Sequence, residues 1–283
     1  MLVTGKEILQ KAHEEGYAVG AFNTSNLEMT RAVIEAAEEE KSPVIIQTSQ
    51  SAITYAGSTE IAMIVRLLAE EASVPVALHL DHGTDWDVVM KCLRDGWTSV
   101  MFDGSKYEFD KNIEITKQVI SIAHPMGVSV EAELGKIGGV EDHVKVDAKD
   151  ATMTDPDEAV EFVEKTGVDY LAIAIGTAHG VYKGDPELDF DRLKDIKARL
   201  NMPIVLHGAS GVPEEDIKKA VSLGVNKINI DTDLRQAFKK AMHKVVKEQP
   251  DVYDPRKMLA PTSDAIKEVV KTKIRMFGSN NRA

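Results

Sequence analysis

The chain has 283 residues, of which 43% are hydrophobic and 28% charged, and its formal net charge is -12. This length allows a large buried core, and the even composition, without a low-complexity block or a long linker, predicts one domain spanning residues 1–283. The negative charge argues against nucleic acid as a partner, because phosphate backbones are bound by an excess of Lys and Arg.

The cysteine content and the N-terminus indicate the compartment. Cys92 is the single cysteine, so an internal disulfide is excluded and a reducing compartment is favoured. Residues 1–16 lack the continuous apolar segment of a signal peptide. No run approaches the roughly eighteen apolar residues that span a bilayer. We therefore expect a cytoplasmic protein with no role in a membrane.

Apolar, β-rich runs alternate with amphipathic helical stretches, a pattern typical of a parallel sheet with helices packed outside it. Eight runs are predicted to be strands: residues 17–22, 43–47, 75–80, 98–102, 128–132, 169–175, 203–206 and 225–230. Eight helical stretches follow them in turn: residues 28–40, 60–71, 85–94, 112–123, 157–165, 188–200, 214–223 and 234–247. Eight such repeats favour an α/β fold of the (β/α)8 TIM barrel type over an open doubly wound sheet, whose Gly-rich fingerprint is missing after the first strand.

In such a barrel the active site lies at the C-terminal ends of the strands. Every predicted strand brings a polar residue to that end. In chain order these residues are Asn23, Ser49, Asp81 with His82, Asp103, Glu133, His179, His207, and Asn229 with Asp231. Three histidines and several carboxylates are therefore predicted to converge on one mouth of the barrel.

Three of these strand ends share one pattern, an apolar run followed by His and Gly, at His82, His179 and His207. Any one of them alone is well explained as a buried structural histidine, but the repetition favours a shared role. Three imidazoles with an open fourth position are a common ligand set for catalytic zinc. The Gly after each His would let backbone or ligand approach closely. His79 alternates with Asp81 along its strand, and we expect it to be structural.

The segments after the last two strands suit an anion. Residues 207–211 (His-Gly-Ala-Ser-Gly) and 229–232 (Asn-Ile-Asp-Thr) offer small side chains and backbone N–H groups at the usual phosphate position of a barrel. Lys183 and Arg235 are candidate cationic anchors, and two anchors would favour a substrate with two phosphates. The alternative for each is an ordinary solvated charge.

The segment of residues 135–154 is long for a connection in a compact domain, and such segments are often lids. A hinge at Gly138 and Gly139 would carry Glu141 to the site on closure, as an acid/base group requires. The alternative is a flexible acidic surface loop.

Eight motifs occur in one order along the chain: YAVGAFN at 17–23, LHLDHG at 78–83, VEAELGKIGGVED at 130–142, AIGTAHG at 174–180, VLHGASG at 205–211, NIDT at 229–232, DPRKML at 254–259 and FGSNNRA at 277–283. Together they resemble the class II, metal-dependent ketose-bisphosphate aldolases over the whole chain. The resemblance implies a glycolytic lyase that reversibly cleaves fructose 1,6-bisphosphate to dihydroxyacetone phosphate and glyceraldehyde 3-phosphate. It also implies a homodimer or homotetramer.

The resemblance assigns roles to the residues at the mouth. His82, His179 and His207 would bind the catalytic zinc, Asp81 would exchange a proton with the aldehyde oxygen, and Glu141 would remove a carbon-bound proton. Asp103 and Glu133 fall at a second, less tightly held divalent-metal position, and a monovalent cation is a further expected cofactor. The predicted substrate-binding residues are Asn23, Ser49, Gly180, Lys183, Gly208, Ala209, Ser210, Asn229, Ile230, Asp231, Thr232 and Arg235.

The motifs are divided between two sugar substrates. AIGTAHG and the GGVEDHVKVDA segment are similar to tagatose-bisphosphate members, whereas Asp231 and Arg235 resemble fructose-bisphosphate members, in which the arginine holds the 6-phosphate. Fructose is favoured, with tagatose 1,6-bisphosphate as the alternative.

Three other functions remain open from the residues themselves. Lys227, inside the last predicted strand, is the candidate for a Schiff-base aldolase. Three histidines and an aspartate would also suit a metal hydrolase. A non-catalytic phosphate-binding or structural-zinc barrel would instead have four protein ligands and no open position.

Overall fold

The computed structural model describes residues 1–141, 144–182, 184 and 186–283. Within them the chain forms eleven strands: β1 Val19–Asn23, β2 Val44–Ser49, β3 Val76–Gly83, β4 Ser99–Phe102, β5 Ser129–Leu134, β6 Gly138–Glu141, β7 Val144–Val146, β8 Tyr170–Ile173, β9 Ala178–His179, β10 Ile204–Leu206 and β11 Val225–Ile230. Eight of these close into a parallel barrel in the order β1, β11, β10, β8, β5, β4, β3, β2. The predicted TIM barrel is therefore confirmed, and each of its strands overlaps one predicted run.

The described residues also form eleven α-helices: α1 Gly5–Glu15, α2 Leu27–Glu39, α3 Gln50–Ala56, α4 Ser58–Glu71, α5 Trp86–Arg94, α6 Phe109–Ala123, α7 Pro156–Thr166, α8 Phe190–Leu200, α9 Glu214–Ser222, α10 Thr232–Glu248 and α11 Pro255–Phe277. The eight predicted helices correspond to α2 and α4 to α10. The sequence patterns did not identify α1, α3 or α11.

Alternate residues of each strand belong to two different hydrophobic layers, because successive side chains point to opposite faces of a sheet. On β1, Phe22 joins the large core between the barrel and its helices. Its neighbour Ala21 joins a smaller cluster with Ile45, Ala77 and Val205. The barrel strands are buried on both faces, as expected for a parallel sheet covered by helices.

Helix α1 closes the N-terminal end of the barrel. Thr4 caps it in a capping box, in which the Glu7 N–H donates to Thr4 Oγ1 at 3.1 Å. Ile8, Leu9 and Ala12 pack into the smaller hydrophobic cluster at the base of the barrel. Apolar packing therefore fills this end, and the opposite end is left for polar groups.

The segment predicted to be a lid contains a hairpin. Strands β6 and β7 are antiparallel, with Gly139 opposite Val146, and β6 is also parallel to β9, with Gly139 opposite His179. The hairpin is thus tied to the strand that carries His179. Residues 142 and 143 lie outside the described residues, and the closing motion stays a prediction.

Among the described helices, none is by itself long and apolar enough to cross a membrane. Helices α3 and α4 meet the length and composition requirement only as a pair, and they are bent by 90° at the break between them.

The packing of α1 predicts a stability effect. Replacing Leu9, which is fully buried, with alanine is expected to lower the free energy of unfolding by about 2–5 kcal/mol, because the change leaves a cavity in the base of the barrel. Denaturant unfolding monitored by circular dichroism measures it. Leu67→Ala, at a site 59% exposed, serves as the control and should change the free energy by less than about 0.5 kcal/mol. Equal losses in the two variants would contradict this role of α1.

Candidate active site

The three histidines of the His-Gly pattern meet at the C-terminal mouth of the barrel. His82 lies near the end of β3, His179 ends β9, and His207 follows β10. Their donor nitrogens lie within 4.8 Å of one another, and all three side chains are buried. The ring centroids of His82 and His207 are 4.7 Å apart, and those of His82 and His179 are 5.0 Å apart. The structure thus brings together the set predicted from the sequence.

Two buried carboxylates fix which nitrogen of each ring faces the centre. His82 Nδ1 lies 2.9 Å from Asp103 Oδ2, and His207 Nε2 lies 2.8 Å from Glu131 Oε1. A carboxylate only accepts, so these nitrogens carry hydrogen and the other nitrogen of each neutral ring keeps its lone pair. His82 Nε2 and His207 Nδ1 face each other at 2.9 Å. Two lone pairs so placed repel unless a cation or a proton lies between them, so this donor set fits a metal ion.

The surrounding charges favour a cation at this position. Burial opposes charging of His82, but Asp81, Asp103 and Glu133 outweigh it and hold the pKa of His82 well above its usual range. Burial and the neighbouring His82 charge hold the pKa of His207 well below its usual range. Burial, with a contribution from Asp103, raises the pKa of Glu133. The surrounding carboxylates therefore stabilise one positive charge shared by His82 and His207, but they do not stabilise a positive charge on both rings at once.

A local irregularity of β3 allows two adjacent residues, Asp81 and His82, to place their side chains in the site. His82 has a left-handed backbone conformation with φ 48°, and the register between β3 and β4 shifts between Leu80 and Gly83. A regular strand would point Asp81 and His82 to opposite faces. A non-glycine residue at positive φ costs free energy and is kept where the surrounding structure requires it, often at active sites. Here it lets both side chains reach the mouth.

Two glycines position His179. Gly139 has φ 109°, and a Cβ there would overlap the backbone of His179; Gly208 has φ 64°, and a Cβ there would lie 2.6 Å from Ala178 O. The Tyr182 hydroxyl accepts from Ala178 N and donates to Gly208 O, both at 2.7 Å. The short strand β9 is therefore held between the hairpin and the loop after β10. Sequence reasoning missed Tyr182, whose only signal is its position four residues after Ala178.

Asp81 is held by three side-chain amides. Its Oδ2 accepts from Asn23 Nδ2 at 2.9 Å and from Gln47 Nε2 at 3.1 Å, and its Oδ1 accepts from Asn229 Nδ2 at 3.1 Å. These neutral donors orient the fully buried carboxylate without placing a positive charge on it. Asn23 and Asn229 were predicted as substrate-binding residues. Gln47 was missed, although a polar residue at the end of an apolar run is a detectable signal.

Asp103 and Glu133, predicted at a second metal, lie beside the histidines. With His82 they form a group whose donor atoms are within 4.8 Å of one another. Glu133 Oε2 is 4.0 Å from His82 Nδ1 and 3.7 Å from His207 Nδ1. Their binding of a second metal stays a prediction. Glu131, two residues before Glu133 and so on the same face of β5, was missed.

A cavity of about 410 Å³ lies over the N-terminus of α10, and three predicted anion-binding residues, Gly180, Ser210 and Thr232, line it. A helix N-terminus presents unpaired N–H groups and a partial positive charge, which favour an anion. Ala209 is buried, and the side chain of Ile230 packs in the core, so only its backbone is available to a ligand. Lys183 lies outside the described residues, and of Glu141 only the backbone is described.

A second cavity, of about 460 Å³, is lined by Asn23, Ser49, Asp231 and Arg235. Arg235 Nε donates to Asp231 Oδ1 at 2.7 Å, and the Arg235 side chain is 49% exposed. Seven of the predicted substrate-binding residues therefore line two cavities at the same mouth, an arrangement that fits a substrate with two anionic ends.

Lys227, the candidate for a Schiff base, is fully buried. Its Nζ lies 2.9 Å from Glu131 Oε2 and donates to Asn229 Oδ1 at 2.7 Å. A charged amine that is paired with a carboxylate is a poor nucleophile, because attack requires the neutral form. The structure therefore disfavours the Schiff-base alternative.

The family model for "Fructose-bisphosphate aldolase class-II" matches residues 3–282. The chain belongs to the class II fructose-bisphosphate aldolase family. The fructose-bisphosphate aldolase of Thermus caldophilus is 52% identical, and the match covers 100% of both chains. The sulfofructosephosphate aldolase of Alkalicoccus urumqiensis is 46% identical, with 99% of this chain and 98% of the relative covered. The crystal structure of the YdjI aldolase of Escherichia coli K12 aligns with a TM-score of 0.87 at 39% identity, covering 100% of both chains.

These matches confirm the family, the barrel and the enzyme class that the sequence motifs predicted. Members of this aldolase family are carbon–carbon lyases and are in general metal-dependent.

The contact between Gly208 and Ala178 predicts an effect on metal binding. In this aldolase, Gly208→Ala is expected to displace β9 with His179 and weaken zinc binding by about 10- to 100-fold, the range found when a ligand loses its orientation. Competition with a chromophoric chelator measures the zinc affinity. Gly167→Ala is the matched control, because Gly167 has φ 70° but has nothing within 4 Å of an added Cβ. Equal losses in both variants would show that backbone strain, and not the contact with Ala178, is responsible.

Proposed function

We propose that the chain is a zinc-dependent aldolase that reversibly cleaves fructose 1,6-bisphosphate to dihydroxyacetone phosphate and glyceraldehyde 3-phosphate. The observation that carries the proposal is the Asp81 carboxylate, oriented by three amides, next to a cluster of three histidines, two of which have their lone pairs directed by buried carboxylates. Membership of the aldolase family supports the reaction type.

His82, His179 and His207 would hold the zinc ion. Zinc with three imidazole ligands and an open position acts as a Lewis acid and stabilises negative charge that develops on substrate oxygens. The alternative of a structural zinc site requires a fourth protein ligand. A titration with zinc followed by a hydroxamate mimic of the substrate distinguishes the two, because a mimic binds only where a ligand position is open.

Asp81 would carry the proton of the aldehyde-derived oxygen. In cleavage it takes the proton from the hydroxyl as the carbon–carbon bond breaks, and in synthesis it returns the proton to the new alkoxide. Asn23, Gln47 and Asn229 hold its oxygens in place, so the carboxylate is oriented before substrate arrives. A positioned group of this kind typically contributes about 10²- to 10⁴-fold to the rate.

The carbon-bound proton would be exchanged by Glu141. Its backbone lies in β6, two residues from Gly139, which pairs with His179. The hairpin therefore connects the segment carrying Glu141 with one of the proposed zinc ligands. This connection supports the role assigned from the sequence motif.

The two cavities would bind the two phosphates. The cavity over α10 suits the dihydroxyacetone phosphate end, because glycines and a helix N-terminus surround it. The cavity containing Arg235 suits the distal phosphate, since guanidinium groups match the geometry of phosphate oxygens. The resemblance of Asp231 and Arg235 to residues of fructose-bisphosphate members supports fructose over tagatose bisphosphate. We also propose a cytosolic homo-oligomer, and the single buried Cys92 is consistent with a reducing compartment.

Aldol cleavage measured in parallel on fructose and tagatose 1,6-bisphosphates, with and without EDTA, tests the reaction and the sugar. We expect faster cleavage of the fructose compound, complete loss of activity with EDTA, and recovery on addition of zinc. Activity that survives EDTA would contradict metal dependence, and a clear preference for tagatose bisphosphate would overturn the choice of sugar.

Asp81→Ala tests the proton carrier. We expect the variant to bind zinc but to lose about 10²- to 10⁴-fold in kcat, because it lacks the oriented carboxylate that carries the proton. Asp87→Ala removes an exposed carboxylate from the first turn of the following helix and should leave kcat unchanged. Near-normal cleavage by Asp81→Ala with normal zinc content would remove Asp81 from this role.

A further inference from the structure

A lysine and a glutamate lie side by side inside the barrel, away from solvent. Lys227 on β11 and Glu131 on β5 are each fully buried, and Lys227 Nζ lies 2.9 Å from Glu131 Oε2. Removing two charges from water costs several kcal/mol per ion, and apolar residues of similar volume often fold as well or better. The pair therefore calls for an explanation beyond stability.

Each member of this pair also contacts a residue of the site. Glu131 Oε1 lies 2.8 Å from His207 Nε2, the nitrogen that faces away from the metal position. Lys227 Nζ donates to Asn229 Oδ1 at 2.7 Å, and Asn229 Nδ2 donates to Asp81 Oδ1 at 3.1 Å. One continuous set of polar contacts therefore runs from a proposed zinc ligand to the proposed proton carrier and passes through Lys227.

We propose that Lys227 is a positioning residue that orients His207 through Glu131 and Asp81 through Asn229, and so aligns the metal ligand with the proton carrier. The proposal rests on the proposed function for its Asp81 half. Its His207 half concerns metal binding and does not depend on the identity of the sugar.

The orientation of His207 through Glu131 follows from the positive charge of Lys227. Glu131 must accept a hydrogen bond from His207 Nε2 for the Nδ1 lone pair to face the metal position. The ammonium group supplies the counter-charge that a carboxylate needs in the barrel interior. His79 Nε2, at 3.4 Å from Glu131 Oε2, is the other described group facing this oxygen, and its ring is also held by Ser99 Oγ at 2.6 Å from Nδ1.

The orientation of Asp81 through Asn229 follows from the hydrogen bond that Lys227 donates. An ammonium group only donates, so Lys227 requires the carbonyl oxygen of the Asn229 amide to face it. The NH₂ group of Asn229 is then turned towards Asp81, where it donates to Oδ1. A neutral apolar residue at position 227 would leave the Asn229 amide free to rotate, and the Asp81 carboxylate would lose one of its three fixed donors.

The test compares the full-length wild type with Lys227→Met, which has a similar length and no charge. Zinc affinity is measured by chelator competition, and the environment of the metal by the visible absorption spectrum of the cobalt-substituted protein. We expect a loss of about 10- to 100-fold in zinc affinity and a changed cobalt spectrum. At saturating zinc, kcat should fall by up to about 10²-fold with little change in KM, because the misplacement affects the reacting groups and not the phosphate cavities.

A second variant separates the effect on His207 from the effect on Asp81, and it provides a test if the first variant does not fold. Lys227→Met with Glu131→Gln leaves no unpaired charge, and the glutamine oxygen is still able to accept from His207 Nε2. Its zinc affinity should therefore recover towards that of the wild type, whereas kcat should stay low because Asn229 still lacks its partner. Ser42→Ala is the matched control, since it removes a fully buried hydroxyl that lies just before β2 and bonds to Pro43 O and Ser279 Oγ, away from the site.

The outcomes are distinct. Ser42→Ala should retain the zinc affinity and kcat of the wild type, and equal losses in it and in Lys227→Met would overturn the proposal in favour of general packing. Wild-type zinc affinity and kcat in Lys227→Met would also overturn it, as would full recovery of kcat in the double variant. If Lys227→Met does not fold, the kcat of the double variant tests the proposal instead. A low kcat supports it, and a wild-type kcat overturns it. If the wild type cleaves no sugar bisphosphate, the proposed function fails, and the zinc affinities still support or contradict the His207 half.

Discussion

The hydrogen bonds from two buried carboxylates to imidazole nitrogens decide what the site is able to bind. Without Asp103 and Glu131, each ring of His82 and His207 would be free to place its hydrogen on the nitrogen that faces the centre. With them, two lone pairs are turned towards one point at a separation of 2.9 Å between the nitrogens. That arrangement is unfavourable unless a positive charge lies there. The fold therefore creates a cation position through groups that need not contact the cation.

The barrel separates stability from chemistry along its axis. At the N-terminal end, α1 inserts Ile8, Leu9 and Ala12 into a dry apolar cluster, which requires only complementary shape. At the C-terminal end, Asp81, His82 and His207 are each oriented by polar side chains from other strands or from the loops that follow them. Buried polar groups are costly unless all their partners are present. The chemistry is consequently confined to the end where the strands supply those partners to one another.

The sequence was sufficient for features that each strand carries alone. Apolar runs located all eight barrel strands, and the polar residue after each run identified the histidines, Asp81, and three residues of the cavity that contains Arg235, namely Asn23, Ser49 and Asp231. It was insufficient for features created by contact between distant strands: Glu131 and His207 are separated by 76 positions, and Gln47 and Asp81 by 34. No spacing rule joins such positions. Helix α1 was detectable from the Thr4 and Glu7 capping box and the terminal Gly16, but its place at the base of the barrel was not. Strands β6 and β7 were missed because they pair across a segment whose sequence is typical of a polar loop.

The glycines of the three His-Gly pairs show why a correct pattern still leaves its physical reason open. Their shared position predicted a close approach of backbone or ligand without deciding between the two, and the structure shows that a Cβ on Gly83 would lie 2.5 Å from Met101 O, and one on Gly208 2.6 Å from Ala178 O. Both glycines therefore allow neighbouring backbones to approach. Gly180 differs, since its nearest atom is Val140 O at 3.1 Å and it lines the cavity over α10. Close backbone packing brings the histidines into a small space, and one glycine in three is also open to a ligand. The repeated motif thus reflects the convergence of three strand ends more than the contacts of a substrate.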